Sequence, residues 1–446
     1  MIIHKLLRGD KRTVKAKKNI YTSIVLKGAD SIIYLLLVPV TLGYLNSYEY
    51  GIWLTINSIL MWINSFDIGL GNGMRNRLAE AVAKKKYNLG KAYVSTTFFM
   101  LIFLMAALIV IGSIAEPFVN WYNILNTNQN QVPHLAEIIY ISFLIFCLNF
   151  VFKFIGNVYL AMQLPAVNNF MVTAGHLLSL IVIFILTQTT TGSLLLVAIT
   201  YSMSPLLVYL ISYPITFFKI FPQFRPTIRS FNLKYLKDLF NISIQFFLLQ
   251  LSSILLFAFA NLLISHMFGP ENVTPYNVAY RYFSLVPMIM NIIFAPMWSA
   301  TTDAYANGDY QWIIKSMHSI HKVLYVAYLT LLFMVIVSPY LYRIWIGTEI
   351  EIPLFLSLLI AIYVAVLITS LAYSNFLNGL GKLRIQTINT ILVAILFVPL
   401  CYMLGLKMGI SGIIFGMIIL NLSGLILNIL QFHKITNNKA NGIWNK

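Results

Sequence analysis

Residues 100–115 read Met100-Leu101-Ile102-Phe103-Leu104-Met105-Ala106-Ala107-Leu108-Ile109-Val110-Ile111-Gly112-Ser113-Ile114-Ala115, sixteen residues without a charge. A strand with one wet face alternates apolar and polar residues, and this stretch does not. It is apolar on every face of a helix, as a segment in lipid must be. Leu177–Leu186 repeats the pattern. The composition agrees. The chain of 446 residues is 59% hydrophobic and 10% charged, with a mean hydropathy of +0.81. So few charges do not cover the surface of a soluble protein of this length. The expected class is an all-α integral membrane protein.

A span needs about twenty mostly apolar residues. That criterion predicts about twelve: 20–45, 50–71, 92–115, 136–161, 165–187, 192–218, 240–267, 276–300, 317–342, 353–377, 384–404 and 409–432. The first follows a basic segment, as in a signal peptide, but it is too long for an h-region and reads as a retained anchor. With the N-terminus in the cytoplasm, 25 of the 30 Lys and Arg fall in inside segments. Only Arg343 and Lys407 fall outside, while Lys27, Lys153 and Arg281 fall within spans. That asymmetry predicts cytoplasmic termini. It also accounts for the net charge of +17 as a collar facing anionic lipid, with no nucleic acid involved. The acids Glu49, Glu116, Glu137, Glu271, Glu349 and Glu351 gather at the outer face.

The chain reads as duplicated. Ala79-Glu80-Ala81-Val82-Ala83-Lys84-Lys85-Lys86-Tyr87 and Thr302-Asp303-Ala304-Tyr305-Ala306-Asn307-Gly308-Asp309-Tyr310 share an acid, two alanines and a tyrosine at one spacing, 223 residues apart. The expected organisation is an N-terminal six-helix lobe (1–218), a basic cytoplasmic linker (219–239) and a C-terminal six-helix lobe (240–446). An even number of spans per half makes the halves parallel repeats, which rock about a central site in transporters of this kind.

Ionisable residues in a span cost about 3 kcal/mol each and usually face the bundle interior. Ser23, Lys27, Asp30 and Tyr34 step by four, three and four, so they form one stripe. Asn57, Asn64 and Asp67 share a face of the second span, Asn149, Lys153 and Asn157 one of the fourth, and Asn277, Arg281, Ser284 and Asn291 one of the eighth. Lys27, Lys153, Arg281, Asn149, Asn157 and Asn277 are the candidate substrate-binding residues. Three bases against the two acids Asp30 and Asp67 leave the set net positive, which with its amide and hydroxyl neighbours suits an anionic, hydroxyl-rich cargo. The bland reading of each stands beside this: Lys27 and Asp30 neutralise each other, Asp67 caps a helix or pairs with Arg75, and Arg281 snorkels. Asp30 and Asp67 are the candidates for ion coupling, since a buried carboxylate can titrate with whichever side is open. His176 reads as a packed core histidine rather than a proton relay. His318 and His321 lack the i, i+4 spacing and the glutamate of a zinc site. Cys147 and Cys401 read as small packing residues. Gly405, Gly409, Gly412 and Gly416 are spaced for close helix contact. No catalytic constellation, metal or cofactor is expected.

Tyr50-Gly51-Ile52-Trp53-Leu54-Thr55, then Trp62-Ile63-Asn64-Ser65-Phe66-Asp67-Ile68-Gly69-Leu70-Gly71-Asn72-Gly73-Met74-Arg75-Asn76 and Leu78-Ala79-Glu80-Ala81, resembles the polysaccharide (O-antigen type) flippases. These belong to the multidrug/oligosaccharidyl-lipid/polysaccharide exporter superfamily. The resemblance implies two helical lobes forming a V around a cationic central cavity, in a bacterial inner membrane. It implies a cargo, an undecaprenyl-pyrophosphate-linked oligosaccharide moved from the cytoplasmic to the periplasmic leaflet. It implies partners too: membrane lipids, a polysaccharide polymerase and a chain-length regulator. The rival reading is a multidrug exporter of the same superfamily, coupled to protons or Na⁺. A polysaccharide polymerase or ligase would need a large outer loop bearing Arg or His, which is missing.

Overall fold

Thirteen helices carry the fold in a computed structural model that describes residues 11–61, 63, 70–240, 259–306, 308–348, 350–437 and 439–445. They are α1 (Lys11–Tyr44), α2 (Ser47–Leu60), α3 (Leu70–Ala83), α4 (Tyr87–Ala115), α5 (Leu135–Ala161), α6 (Pro165–Thr189), α7 (Leu194–Pro214), α8 (Lys234–Phe240), α9 (Val273–Ala306), α10 (Tyr310–Ile346), α11 (Leu354–Gly379), α12 (Arg384–Met408) and α13 (Ile410–Thr436). Short turns and one apolar helix, Phe259–Phe268, complete the set. Among the described residues nine helices are long and apolar enough to cross a membrane: α1, α4, α5, α6, α7 and α10 to α13. The chain is therefore a multi-pass, all-α membrane protein. The other three expected spans account for the difference from twelve. The second corresponds to α2, only 14 residues long, with residues 62 and 64–69 outside the described set. The seventh lies largely outside it as well. The eighth is the 34-residue α9, more polar than its neighbours.

The chain divides into two compact units, residues 1–251 and 252–446. In the first, α1 packs on α6, α5 and α6 pack on α7, and α4 packs on α3 and α5. In the second, α11 and α12 pack on α13, and α10 packs on α9 and α11. The counterpart of the α1–α6 pair is present too. Phe259 meets the Phe397 ring at 6.4 Å, and Met267 lies where a Cβ on Gly405 would touch it. These helix pairs of one unit thus recur in the other, in chain order. The repeat at residues 79 and 302 sits at the same junction in both, with Tyr87 and Tyr310 each opening the next helix.

Lipid tails are as apolar as leucine, so close packing and interhelical hydrogen bonds hold such bundles together. Both kinds of contact are present. Gly412 and Gly416 of α13 lie against Leu404 and Cys401 of α12. Tyr159 bonds Thr216 at 3.0 Å, Tyr44 bonds Thr190 at 2.7 Å, and Asn428 donates to Ser370 and Ser374 at 3.1 and 2.9 Å.

The basic segment 219–239 is bound to the first unit rather than strung out from it. Phe224 and Leu239 are fully buried, and the backbone N–H groups of Thr227 and Asn232 donate to Ser95 and Thr96 of α4 at 3.1 and 3.2 Å. Its apolar residues need cover as much as its charges need water.

Candidate functional site: the polar seam of the first unit

The stripe of α1 meets a matching stripe on α6. Asn169, Thr173 and His176 step by four and three, the spacing of Ser23, Lys27 and Asp30. Asn169 donates its amide to the Ser23 hydroxyl, and the Thr173 hydroxyl donates to the Leu26 carbonyl at 3.3 Å. His176 Nδ1 lies 2.7 Å from Asp30 Oδ1, a geometry in which the ring N–H donates to the carboxylate. Tyr34 stands 5.8 Å from the His176 ring. Asp30 therefore pairs across helices, and the local i, i+3 partnership with Lys27 is not the one formed. The pair is not sealed: the two side chains keep 26% and 29% of their exposure. Lys27, on the same stripe, is exposed.

Two small residues set this seam. At Gly175 a Cβ would come within 3.0 Å of Pro205 Cα, so α7 rides directly on α6 one residue before His176. At Gly156 a Cβ would collide with the Asn168 amide, so α6 also lies close on α5 beside Asn157. Farther along α1, Thr41 bonds Tyr201 at 2.9 Å, and the Tyr201 ring packs on Trp53 at 5.2 Å.

The fourth-span candidates occupy α5. Lys153 is exposed, Asn157 half-buried, and Asn149 places its side-chain oxygen in a buried spot without a hydrogen-bond partner. The eighth-span candidates belong to the interior of the second unit. Asn277, 2% exposed, donates to Asn261 Oδ1 at 2.8 Å and to the Val273 carbonyl at 2.9 Å. Arg281 is 8% exposed. Asp67 and Asn64 lie outside the described residues. Among the described residues of the second unit, the interface matching α1–α6 includes Phe259 on Phe397 and Met267 against Gly405.

His176 is the residue that sequence reasoning undervalued. A lone histidine on an apolar helix has no partner in view. The i, i+4, i+7 repeat of Asn169, Thr173 and His176, equal to that of the first span, was the available signal. No group of three or more His, Cys, Asp or Glu side chains suited to a metal occurs among the described residues.

Residues 16–301 match the family model described as "Polysaccharide biosynthesis protein". A Yersinia pseudotuberculosis protein assigned to O-antigen export is 21% identical over 401 residues, covering 85% of this chain and 87% of that protein. A Salmonella typhimurium protein assigned to O-antigen transport is 21% identical over 426 residues, covering 93% and 94%. Among solved structures, an inward-facing multidrug resistance MATE family transporter of the MOP superfamily matches with a TM-score of 0.77 at 16% identity, covering 94% of this chain and 100% of that one. An outward-facing MATE structure matches with a TM-score of 0.63 at 17% identity, covering 98% of both. At these identities the structural likeness concerns the fold.

Proposed function

We propose, for a chain that belongs to the polysaccharide biosynthesis protein family, that it flips an undecaprenyl-pyrophosphate-linked oligosaccharide from the cytoplasmic to the periplasmic leaflet by alternating access. The chain is a polysaccharide-related membrane transporter with the MOP-superfamily fold, and not an enzyme. The cargo, its direction and the mechanism are our reading. So is the orientation, with both termini in the cytoplasm of a bacterial inner membrane.

One observation supports this reading most. The first unit keeps Lys27 exposed on the same stripe as a carboxylate–imidazole pair that is about a quarter exposed, within the segment that the family model matches. An exposed lysine at span depth is costly unless something anionic or water meets it. A pyrophosphate headgroup is such a partner, and amides suit the sugar hydroxyls. Lys27 and Lys153 are the proposed headgroup contacts, with Asn149 and Asn157 beside Lys153. Arg281 and Asn277 are the second unit's candidates, and their burial gives them the weaker claim. The polyprenyl tail stays in lipid.

For coupling we assign Asp30 together with His176, with Asp67 as a further candidate. Joined at 2.7 Å across α1 and α6, the two side chains can pass a proton between them and so loosen or tighten the seam between the helices. Tyr34 stands beside the His176 ring, and Lys27, Asn169 and Thr173 lie farther along the same two stripes.

The test is surface polysaccharide in cells expressing Lys27→Ala, Lys153→Ala or Arg281→Ala at matched protein levels. A lysine that grips the headgroup lowers polymer when removed. Wild-type polymer from all three variants removes these residues from the mechanism.

A further inference from the structure

No Asp or Glu follows Glu351 in the chain, so α11, α12, α13 and the segment after them carry cations alone. Two of these cations stand at one end of the second unit. Lys382 lies in the turn between α11 and α12, and Lys434 in the last turn of α13. Both are half-buried, and neither forms an ion pair among the described residues. In the orientation read from the basic residues they stand at the cytoplasmic headgroup level.

The segment after α13 occupies them. It turns back on the bundle and closes in one tight turn, Gly442–Asn445. Lys382 Nζ donates to the Asn445 carbonyl at 2.8 Å, and Lys434 Nζ sits 3.8 Å over the Trp444 ring. The fully buried Gln431 joins the two places: its amide donates to the Lys382 carbonyl and to the Trp444 carbonyl, at 3.3 Å each. Gln431 and Lys434 are three residues apart and so neighbours on α13. Two ammonium groups from separate parts of the chain thus converge on one short segment.

Both partners are neutral, whereas an ammonium pairs most strongly with an anionic oxygen. A cation over an exposed ring is held only modestly. The bound segment also leaves Gln431 Oε1 buried without a hydrogen-bond partner, so its fit is incomplete. Snorkelling does not account for the arrangement, because a snorkelling ammonium turns to water and these two turn to a carbonyl and a ring. The anion in surplus at this level is phosphate.

We propose that Lys382 and Lys434 form a phosphate site that the segment 439–445 covers, so that phosphate and this segment compete for the same two ammonium groups. The phosphate is that of a lipid headgroup in the adjoining leaflet or of a soluble pyrophosphate, with the same chemistry. The site lies within the second unit and is independent of the cargo proposed above.

Fluorine NMR of the full-length protein, labelled with fluorotryptophan and held in lipid nanodiscs, reads the segment directly. The Trp444 line is assigned by its loss in Trp444→Phe. Phosphatidylcholine carries its own cation beside its phosphate, so the line of the covered site is expected in it. Phosphatidylglycerol in the disc, or inorganic pyrophosphate in solution, is expected to move the line to that of a free indole. A response to the lipid alone assigns a headgroup site, and a response to pyrophosphate in phosphatidylcholine discs assigns a soluble ligand; either supports the competition. The responding phosphate is expected to bind Trp444→Gly roughly 2- to 5-fold more tightly, since no ring then covers Lys434. It is expected to bind Lys382→Gln roughly 10-fold more weakly. Lys434→Gln serves where Lys382→Gln disturbs its turn, with the same direction of change. A Trp444 line that neither phosphate moves, one that sodium chloride of matched ionic strength moves equally, or a Trp444→Gly variant that binds no more tightly would each overturn the proposal.

Discussion

Gly175 of α6 lies against Pro205 of α7 so closely that a methyl group on it would sit 3.0 Å from Pro205 Cα. Backbone, not a pliable side chain, fills the space. The next residue along α6 is His176, so the contact that joins two helices also fixes where the imidazole meets Asp30. Fold and site share one constraint here.

Enlarging that glycine tests the link. Gly175→Val forces α6 off α7 and costs about 1–3 kcal/mol by overpacking. It also draws His176 from Asp30. We expect a lower melting temperature in detergent, together with a loss of surface polysaccharide greater than the fall in protein level. A melting shift with export per molecule intact would separate the packing contact from the site.

The carboxylate–imidazole pair predicts coupled losses. Asp30→Asn and His176→Gln each leave a neutral hydrogen-bonding side chain in place of a charged or proton-carrying one. Export in everted vesicles is expected to fall for both. The two substitutions couple, so the double variant is no worse than either single one. Additive losses would show that the two residues do not act as a pair.

Much of this was legible in the residues, and the limits have physical causes. Long uncharged runs such as 100–115 define helices in lipid, because backbone polar groups have no other partner there. Ser23, Lys27, Asp30 and Tyr34 read correctly as one face. What that face meets depends on which helix packs on which, and helical spacing within one span carries no such information. The α6 stripe therefore passed as a lone histidine. Asn277 shows the converse. It was singled out for lying on a polar face, yet its amide is spent on Asn261 and Val273 within its own unit. The docking of 219–239 was masked by its charge, which hid Phe224 and Leu239.

That docking yields a stability prediction. Phe224 is 1% exposed and stands against Gly90 of α4. Phe224→Ala leaves a cavity costing about 3–5 kcal/mol and frees the segment. Limited proteolysis of the protein in detergent is expected to cut the variant between 219 and 239 while the wild type resists. Equal cleavage of both would show that the segment is not held.

The basic asymmetry predicts topology. Reporter fusions after residue 86, in the turn between α3 and α4, and at the C-terminus are expected to report cytoplasm. A fusion after residue 130, between α4 and α5, is expected to report the outer side. Reversed reporters would invert the direction proposed for the cargo and the side assigned to Lys382 and Lys434.

Depletion of the protein in its native host, followed by extraction of lipid-linked glycans and a test of their accessibility to an impermeant reagent in spheroplasts, probes the central claim most directly. A polyprenyl-pyrophosphate oligosaccharide is expected to accumulate in the cytoplasmic leaflet, shielded from the reagent, while surface polymer disappears. Undiminished polymer with no accumulated intermediate would contradict it.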